Sequence, residues 1–197
     1  WIGGGSGSTT WTPYAGGGTI TVGNGSAAYD SAFGWHSIGI YHSNLSTGGG
    51  NVYMSGSDTA NNVSPGMAIS IESGSVVAAA GGNITIAGVG GTYSGGTNYG
   101  VQIVDSTIST SGVGAIAING TGGTAGGNNY GIYLSGANVS AVGSSTITIN
   151  GTGGAGTGNQ AYGTFVSGGS LSVQNGAMVV NGTGGNSSGS QGIGVLL

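Results

Sequence analysis

The phrase TITINGT, beginning at Thr146, returns along the chain at a nearly constant interval. Its counterparts are TITVGNG from Thr19, NVYMSGS from Asn51, NITIAGV from Asn83, AIAINGT from Ala115 and AMVVNGT from Ala177, at steps of 32, 32, 32, 31 and 31 residues. Self-similarity at a fixed period of this length means that each repeat is one structural unit, able to bury its apolar face only against its neighbours.

Two further columns keep the same register. One is Leu45, Val76, Ile108, Val139 and Leu171; the other is the pair Ile38/Ile40, Ile69/Ile71, Val101/Ile103, Ile132/Leu134, Thr164/Val166 and Val195/Leu197. In the first column of all, Ile147 and Ile149 and their equivalents alternate with Thr, Asn and Ala. Alternation over four or five residues between Gly, Ser and Asn clusters is the pattern of a strand, and no stretch carries the i, i+3, i+4 spacing of an apolar helix face. A β-sandwich also has many short strands, but it does not require strict self-similarity. The fold class expected is therefore all-β: a right-handed parallel β-helix, or β-solenoid, of about six coils of 31–32 residues with three short strands per coil. Its handedness follows the general preference for right-handed crossovers. Residues 1–197 read as a single solenoid segment, cut mid-coil at both ends, with 1–37 an irregular first coil carrying long loops and 38–197 the regular coils.

Equal steps place like residues on top of one another. Asn119, Asn150 and Asn181 are expected to form an Asn ladder at a corner, and Tyr99, Tyr130 and Tyr162 an aromatic stack, with Met67 in the same column. The Gly-rich phrases GTGGTAGGNN, GTGGAGTGNQ and GTGGNSSGSQ form the long loop of each coil, their glycines permitting positive φ and close approach between loops. Such loops superficially resemble phosphate cradles, but no helix and no Lys follow them. The outward positions of the strands containing Ile69, Val101 and Ile132 run Ser70, Gln102, Tyr133, Phe165, Leu196, becoming apolar along the rod. Tyr133, Phe165, Leu196 and Leu197, with Trp1 and Ile2 at the other end, are thus the candidate interface.

Charge narrows the function classes. Among 197 residues there are no Lys or Arg, no Cys, 50 Gly, and four carboxylates: Asp30, Asp58, Glu72 and Asp105. Without basic groups there is nothing to neutralise phosphates or dock on anionic lipid, so no nucleic acid partner and no membrane insertion is expected. A surface solubilised by Ser, Thr and Asn has little repulsion to keep copies apart, which makes the chain itself the expected partner, end to end or laterally. Glu72 and Asp105 fall near one another on adjacent coils, but a polysaccharide-cleaving site would also need a cation for developing charge. His36 and His42 lie too far apart on one strand to share an ion. No catalytic residue, cofactor or metal site is therefore assigned, and the chain is not expected to be an enzyme.

Three binding readings are weighed as well. The aromatics of the first coils, Trp1, Trp11, Tyr29, Trp35, Tyr41 and Tyr53, make a carbohydrate-stacking surface the alternative to a structural end. Thr19/Thr21 and Thr146/Thr148 suggest an ice-binding array, but Ala115/Ala117 and Ala177/Val179 interrupt it. Nine Asn-x-Ser/Thr sequons are what so Asn- and Ser-rich a composition produces by itself, and a glycan on Asn150 conflicts with a tight Asn ladder.

The repeat NYGIYLSGANVSAVGSSTITINGTGG, residues 129–154, resembles the repeat regions of bacterial filamentous-haemagglutinin-type adhesins and other large secreted β-solenoid exoproteins. The resemblance runs from about residue 38 onward. It implies secretion across a Gram-negative envelope and a right-handed β-helix shaft, extracellular or on the bacterial cell surface, acting in adhesion or surface-fibre formation. Host or matrix glycans are the partners expected of the alternative reading, in which the aromatic first coils hold a sugar. That family's secretion domain has no counterpart here, and the resemblance carries no catalytic residues.

Overall fold

The computed structural model describes residues 2–3, 9–11, 18–23, 36–58, 66–189 and 191–197. Trp1, Tyr29, Asp30, Trp35 and most of the irregular first coil lie outside them. The strands come in threes. The first three are β1 (Ile2–Gly3), β2 (Thr9–Trp11) and β3 (Ile20–Gly23), followed by β4 (His36–Tyr41), β5 (Ser43–Thr47) and β6 (Val52–Ser57). Then come β7 (Met67–Glu72), β8 (Val76–Ala79), β9 (Ile84–Val89), β10 (Val101–Val104), β11 (Thr107–Thr110) and β12 (Ala115–Thr121). The last are β13 (Ile132–Ser135), β14 (Asn138–Ala141), β15 (Thr146–Thr152), β16 (Thr164–Ser167), β17 (Ser170–Val173), β18 (Met178–Thr183) and β19 (Val195–Leu196). From β4 to β18 the chain makes five complete turns of three strands each.

Every third strand joins the same sheet. β1, β4, β7, β10, β13, β16 and β19 form the first sheet, β2 through β17 the second and β3 through β18 the third, all pairings parallel. The molecule is an all-β solenoid, and the described residues contain no helix. The register matches the sequence period: Ile116 lies on Ile147, Ile118 on Ile149, Asn119 on Asn150, and Val101 on Ile132. Because side chains alternate across a strand, this register sends the whole apolar set inward. Ile69, Ile71, Ile84, Ile86, Ile103 and Ile108 are fully buried, together with their stacked equivalents.

One column differs from the sequence expectation. Leu45 pairs with Val77, not Val76, and Val77 continues onto Ile108. Val77 is buried and Val76 only half-buried. The stretch SVVAA offers two adjacent Val, and a slip of one residue exchanges the two faces of a strand. What fixes the choice is a buried column at the corner before the second sheet: Ser43, Ser75 and Ser106, each two residues ahead of Leu45, Val77 and Ile108. The Ser43 N–H donates to Ser75 Oγ and the Ser75 N–H to Ser106 Oγ, both at 3.2 Å. Each hydroxyl in turn donates to a carbonyl two or three residues back in its own coil, Ser43 to Tyr41 at 2.7 Å, Ser75 to Glu72 at 2.6 Å and Ser106 to Val104 at 2.8 Å. These hydroxyls satisfy backbone groups that the sharp corner takes out of the strand ladder.

The same corner is left-handed in successive coils: His42, Ser73, Asp105, Gly136 and Gly168 have φ of 46°, 61°, 46°, 61° and 70°. Only two of the five are Gly, so three turns hold an L side chain in a disfavoured region.

Candidate functional site

The glycines of the repeated NGTGG phrase act chiefly by being small. In the third sheet Gly88, Gly120, Gly151 and Gly182 stack on one another and point inward. A Cβ on Gly120 would stand 2.1 Å from the carbonyl oxygen of Gly131, and one on Gly151 2.0 Å from that of Gly163. Two glycine columns on opposite limbs of the coil are thus in backbone contact, pinching the cross-section where Ile and Val fill it elsewhere. Between residues 120 and 127 only Gly126, at 75°, has a left-handed φ, so positive φ explains few of these glycines.

Nor are the long connections after β9, β12 and β15 free loops. They continue the coil-to-coil hydrogen bonding: the Gly122 N–H donates to Thr152 O at 2.8 Å, and the Asn129 N–H to Gln160 O at 3.0 Å. The outgoing limb of each also bonds to the returning limb below it, Gly123 to Asn98 O at 2.9 Å and Gly154 to Asn129 O at 2.8 Å.

Two Asn ladders run along the rod. At the outer corner of the third sheet Asn150 Nδ2 donates to Asn119 Oδ1, and Asn181 Nδ2 to Asn150 Oδ1, each at 2.9 Å. The second ladder is buried, and sequence reasoning missed it. Asn98 Nδ2 donates to Asn129 Oδ1 at 2.9 Å and to Tyr93 O at 2.9 Å, while Asn129 Nδ2 reaches Ala155 O at 2.7 Å. Its signal was present in the repeated Asn-Tyr-Gly of residues 98–100 and 129–131, where only the Tyr was read.

Tyr99, Tyr130 and Tyr162 are buried and stacked, with ring centroids 4.9 and 5.0 Å apart and planes 7° and 10° from parallel. Tyr133 and Phe165 form a second stack beside them, 5.3 Å apart. These two belong to the candidate interface, and both are half-buried against the first stack rather than standing free. Met67 flanks the cluster at one end, Ile193 and Leu196 at the other. Leu197 is 79 % exposed, while Ile2 pairs with Ile40 through β1. Tyr130 donates to Gln160 Oε1, and Tyr162 to Gln191 Oε1 at 2.8 Å. Burial first, then the neighbouring phenols of Tyr162 and Tyr133, push Tyr130 up to about 12; the same causes, with Tyr130 and Tyr133 as neighbours, raise Tyr99 further.

The chemistry-bearing groups are dispersed. Glu72 Oε1 accepts from the buried Ser70 hydroxyl and from Gln102 Nε2 at 2.6 Å, on the outer face of the first sheet. Burial, with the Glu72 carboxylate adding, pushes the nearby Tyr41 phenol up to about 12 against a smaller opposite effect of its Ser70 hydrogen bond. Asp105 occupies a left-handed corner on the adjacent coil, its N–H on Ser135 O at 2.9 Å. His36 opens β4, with its ring 5.8 Å from that of Tyr41, and His42 lies just beyond the strand's other end. Among the described residues no three His, Cys, Asp or Glu come together.

An open groove of about 390 Å³ lies on the third sheet. Its floor is the glycine column Gly56, Gly88 and Gly120; one wall is Ser55, Ala87, Asn119 and Asn150, and the other Ser57, Val89, Thr121 and Thr152. It exists because the glycines let the strand sink at that corner. No family model, curated protein or solved structure matches the chain.

Proposed function

We propose that the chain is a non-enzymatic extracellular structural protein, a β-solenoid shaft or filament subunit of a bacterial surface fibre or adhesin, lengthening end to end by strand stacking. The observation that carries this reading is the continuity of the parallel backbone ladders and of the inward apolar columns. Strand lies on like strand in register through five turns, and Asn, Ser and aromatic ladders each reinforce part of that length. In the last turn Leu171, Val173, Met178 and Val180 keep the inward pattern but are only half-buried, whereas Val139, Ala141, Ile147 and Ile149 beneath them are buried. A further coil on that end would bury them and occupy the open edges of β17 and β18. Uncharged ladders also bring no like-charge repulsion between stacked turns.

Immunogold electron microscopy of intact producing cells, with antibody raised against this chain, tests the reading. Gold aligned along fibres at the cell surface is expected. Labelling confined to the cell interior would refute it.

A further inference from the structure

The groove on the third sheet has properties that a shaft alone does not need. It crosses at least four coils, from Ser55 on β6 to Asn150 and Thr152 on β15, so its long axis follows the rod and lies across the strands. We propose that it binds a neutral, linear, β-linked polysaccharide lying along the rod.

Four observations converge on that ligand. On three of its four coils the groove walls carry hydrogen-bonding side chains, and the coil spacing of about 4.8 Å is close to the residue repeat of an extended β-linked hexose chain. A carboxamide has two N–H donors, and the ladder uses one of those on Asn150, in the bond to Asn119. Amide donors therefore remain to face sugar hydroxyls, across from Thr121 and Thr152. Second, Ala87 and Val89 set one apolar rung between the polar rungs Ser55/Ser57 and Asn119/Thr121, a place for the C–H face of a sugar ring. Third, Tyr53 stands 42 % exposed on the same outward face of β6, two residues from Ser55, beside the groove. Its ring is a stacking platform that the buried Tyr99, Tyr130 and Tyr162 cannot be, because their faces are already covered by one another. Fourth, the chain has no Lys or Arg, so nothing in the groove would hold a uronate or sulfate. A peptide strand is a poorer occupant: the groove runs across β6, β9, β12 and β15 and offers it no free sheet edge.

The site is independent of the filament reading, since either can fail alone. The test is affinity electrophoresis of the full chain in native gels containing hydroxyethyl cellulose, a neutral β-linked glucan, with alginate as the charged comparison. Retardation by hydroxyethyl cellulose that survives added salt is expected, with none by alginate. Tyr53→Ala and Thr121→Glu, both at exposed positions, should each weaken it about tenfold or more while circular dichroism stays unchanged. Val113→Ala, on an 82 % exposed turn away from the groove, should bind like the parent chain. No retardation by hydroxyethyl cellulose, or unchanged retardation in both groove variants, would overturn the proposal, as would binding to alginate alone.

Discussion

Replacing Gly151 by Ala asks whether the pinched corner is as tight as the backbone contacts imply. The added Cβ would meet the Gly163 carbonyl oxygen at 2.0 Å, its carbon at 2.4 Å and Thr164 Oγ1 at 2.4 Å, where 3.4 Å begins ordinary contact. Relief requires the two limbs of the coil to part by more than 1 Å. Gly120 below and Gly182 above hold Gly151 in register, so the strain cannot be confined to one turn. Overpacking typically costs about 1–3 kcal/mol, and contact with backbone belongs at the upper end or beyond. Opposing this, removing a Gly from the unfolded chain stabilises by about 0.4–1 kcal/mol. A net loss of about 2 kcal/mol or more is expected, which lowers Tm by roughly 4–8 °C in a chain of this size. Thermal melting followed by far-ultraviolet circular dichroism measures it. Gly48→Ala is the comparator, because a Cβ there meets nothing within 4 Å; it should leave Tm unchanged or raise it slightly. If Gly151→Ala melts with Gly48→Ala, the close approach of the glycine columns does not shape the coil and the reasoning fails.

Four other outcomes follow from the same structure. Val77→Thr should destabilise by about 1–3 kcal/mol by burying an unpaired hydroxyl, and Val76→Thr by about 0.5 kcal/mol or less, as read by urea unfolding; equal effects would contradict the register. Ser73→Gly should stabilise by about 0.5–1 kcal/mol, since the corner residue has φ of 61°, and a loss in the same assay would contradict it. Asn150→Ala removes one ladder donor and one acceptor and should cost about 1–2 kcal/mol, with hydrogen exchange rising first in β12, β15 and β18. Finally, folding keeps Tyr41 and Tyr130 protonated up to about 12 and Tyr99 beyond it, while the unfolded chain ionises near 10. Above about pH 10 the native state therefore binds more protons than the unfolded one, so stability is full below that pH and falls as pH rises through about 12. The Tyr41, Tyr99 and Tyr130 phenolates should appear only together with unfolding, as residue-resolved NMR of labelled tyrosines would read, and any of these three ionised in the still-folded rod between pH 10 and 12 would count against their burial.

Much of the architecture was legible because the repeat is strict. Equal steps and alternating Ile, Val and Leu suffice to place Ile116 on Ile147 and Asn119 on Asn150, since a one-residue slip would turn the core outward. Legibility ended where two neighbouring residues could each satisfy the pattern, as at Val76 and Val77. The buried Ser43, Ser75 and Ser106 column resolves that ambiguity, but small polar residues in a Ser-rich chain do not stand out. The glycines were read as loop formers because composition reports flexibility before it reports size; their role as contact surfaces depends on which limb lies opposite, and that is a tertiary fact. Tyr133 and Phe165 were rightly placed on the outward side of their strands, yet the returning limb brings Tyr130 and Tyr162 against them. The groove could not be read from the sequence at all, because it is the outer consequence of an inner absence of side chains.

Electron cryomicroscopy of the native protein tests most directly whether this solenoid extends as a shaft. The expectation is continuous fibres with an axial repeat of about 4.8 Å, strands perpendicular to the fibre axis, and density covering Leu171, Val173, Met178 and Val180 with another coil. Discrete particles in which those four residues lie under a segment of different structure, and no fibres at any concentration, would contradict it.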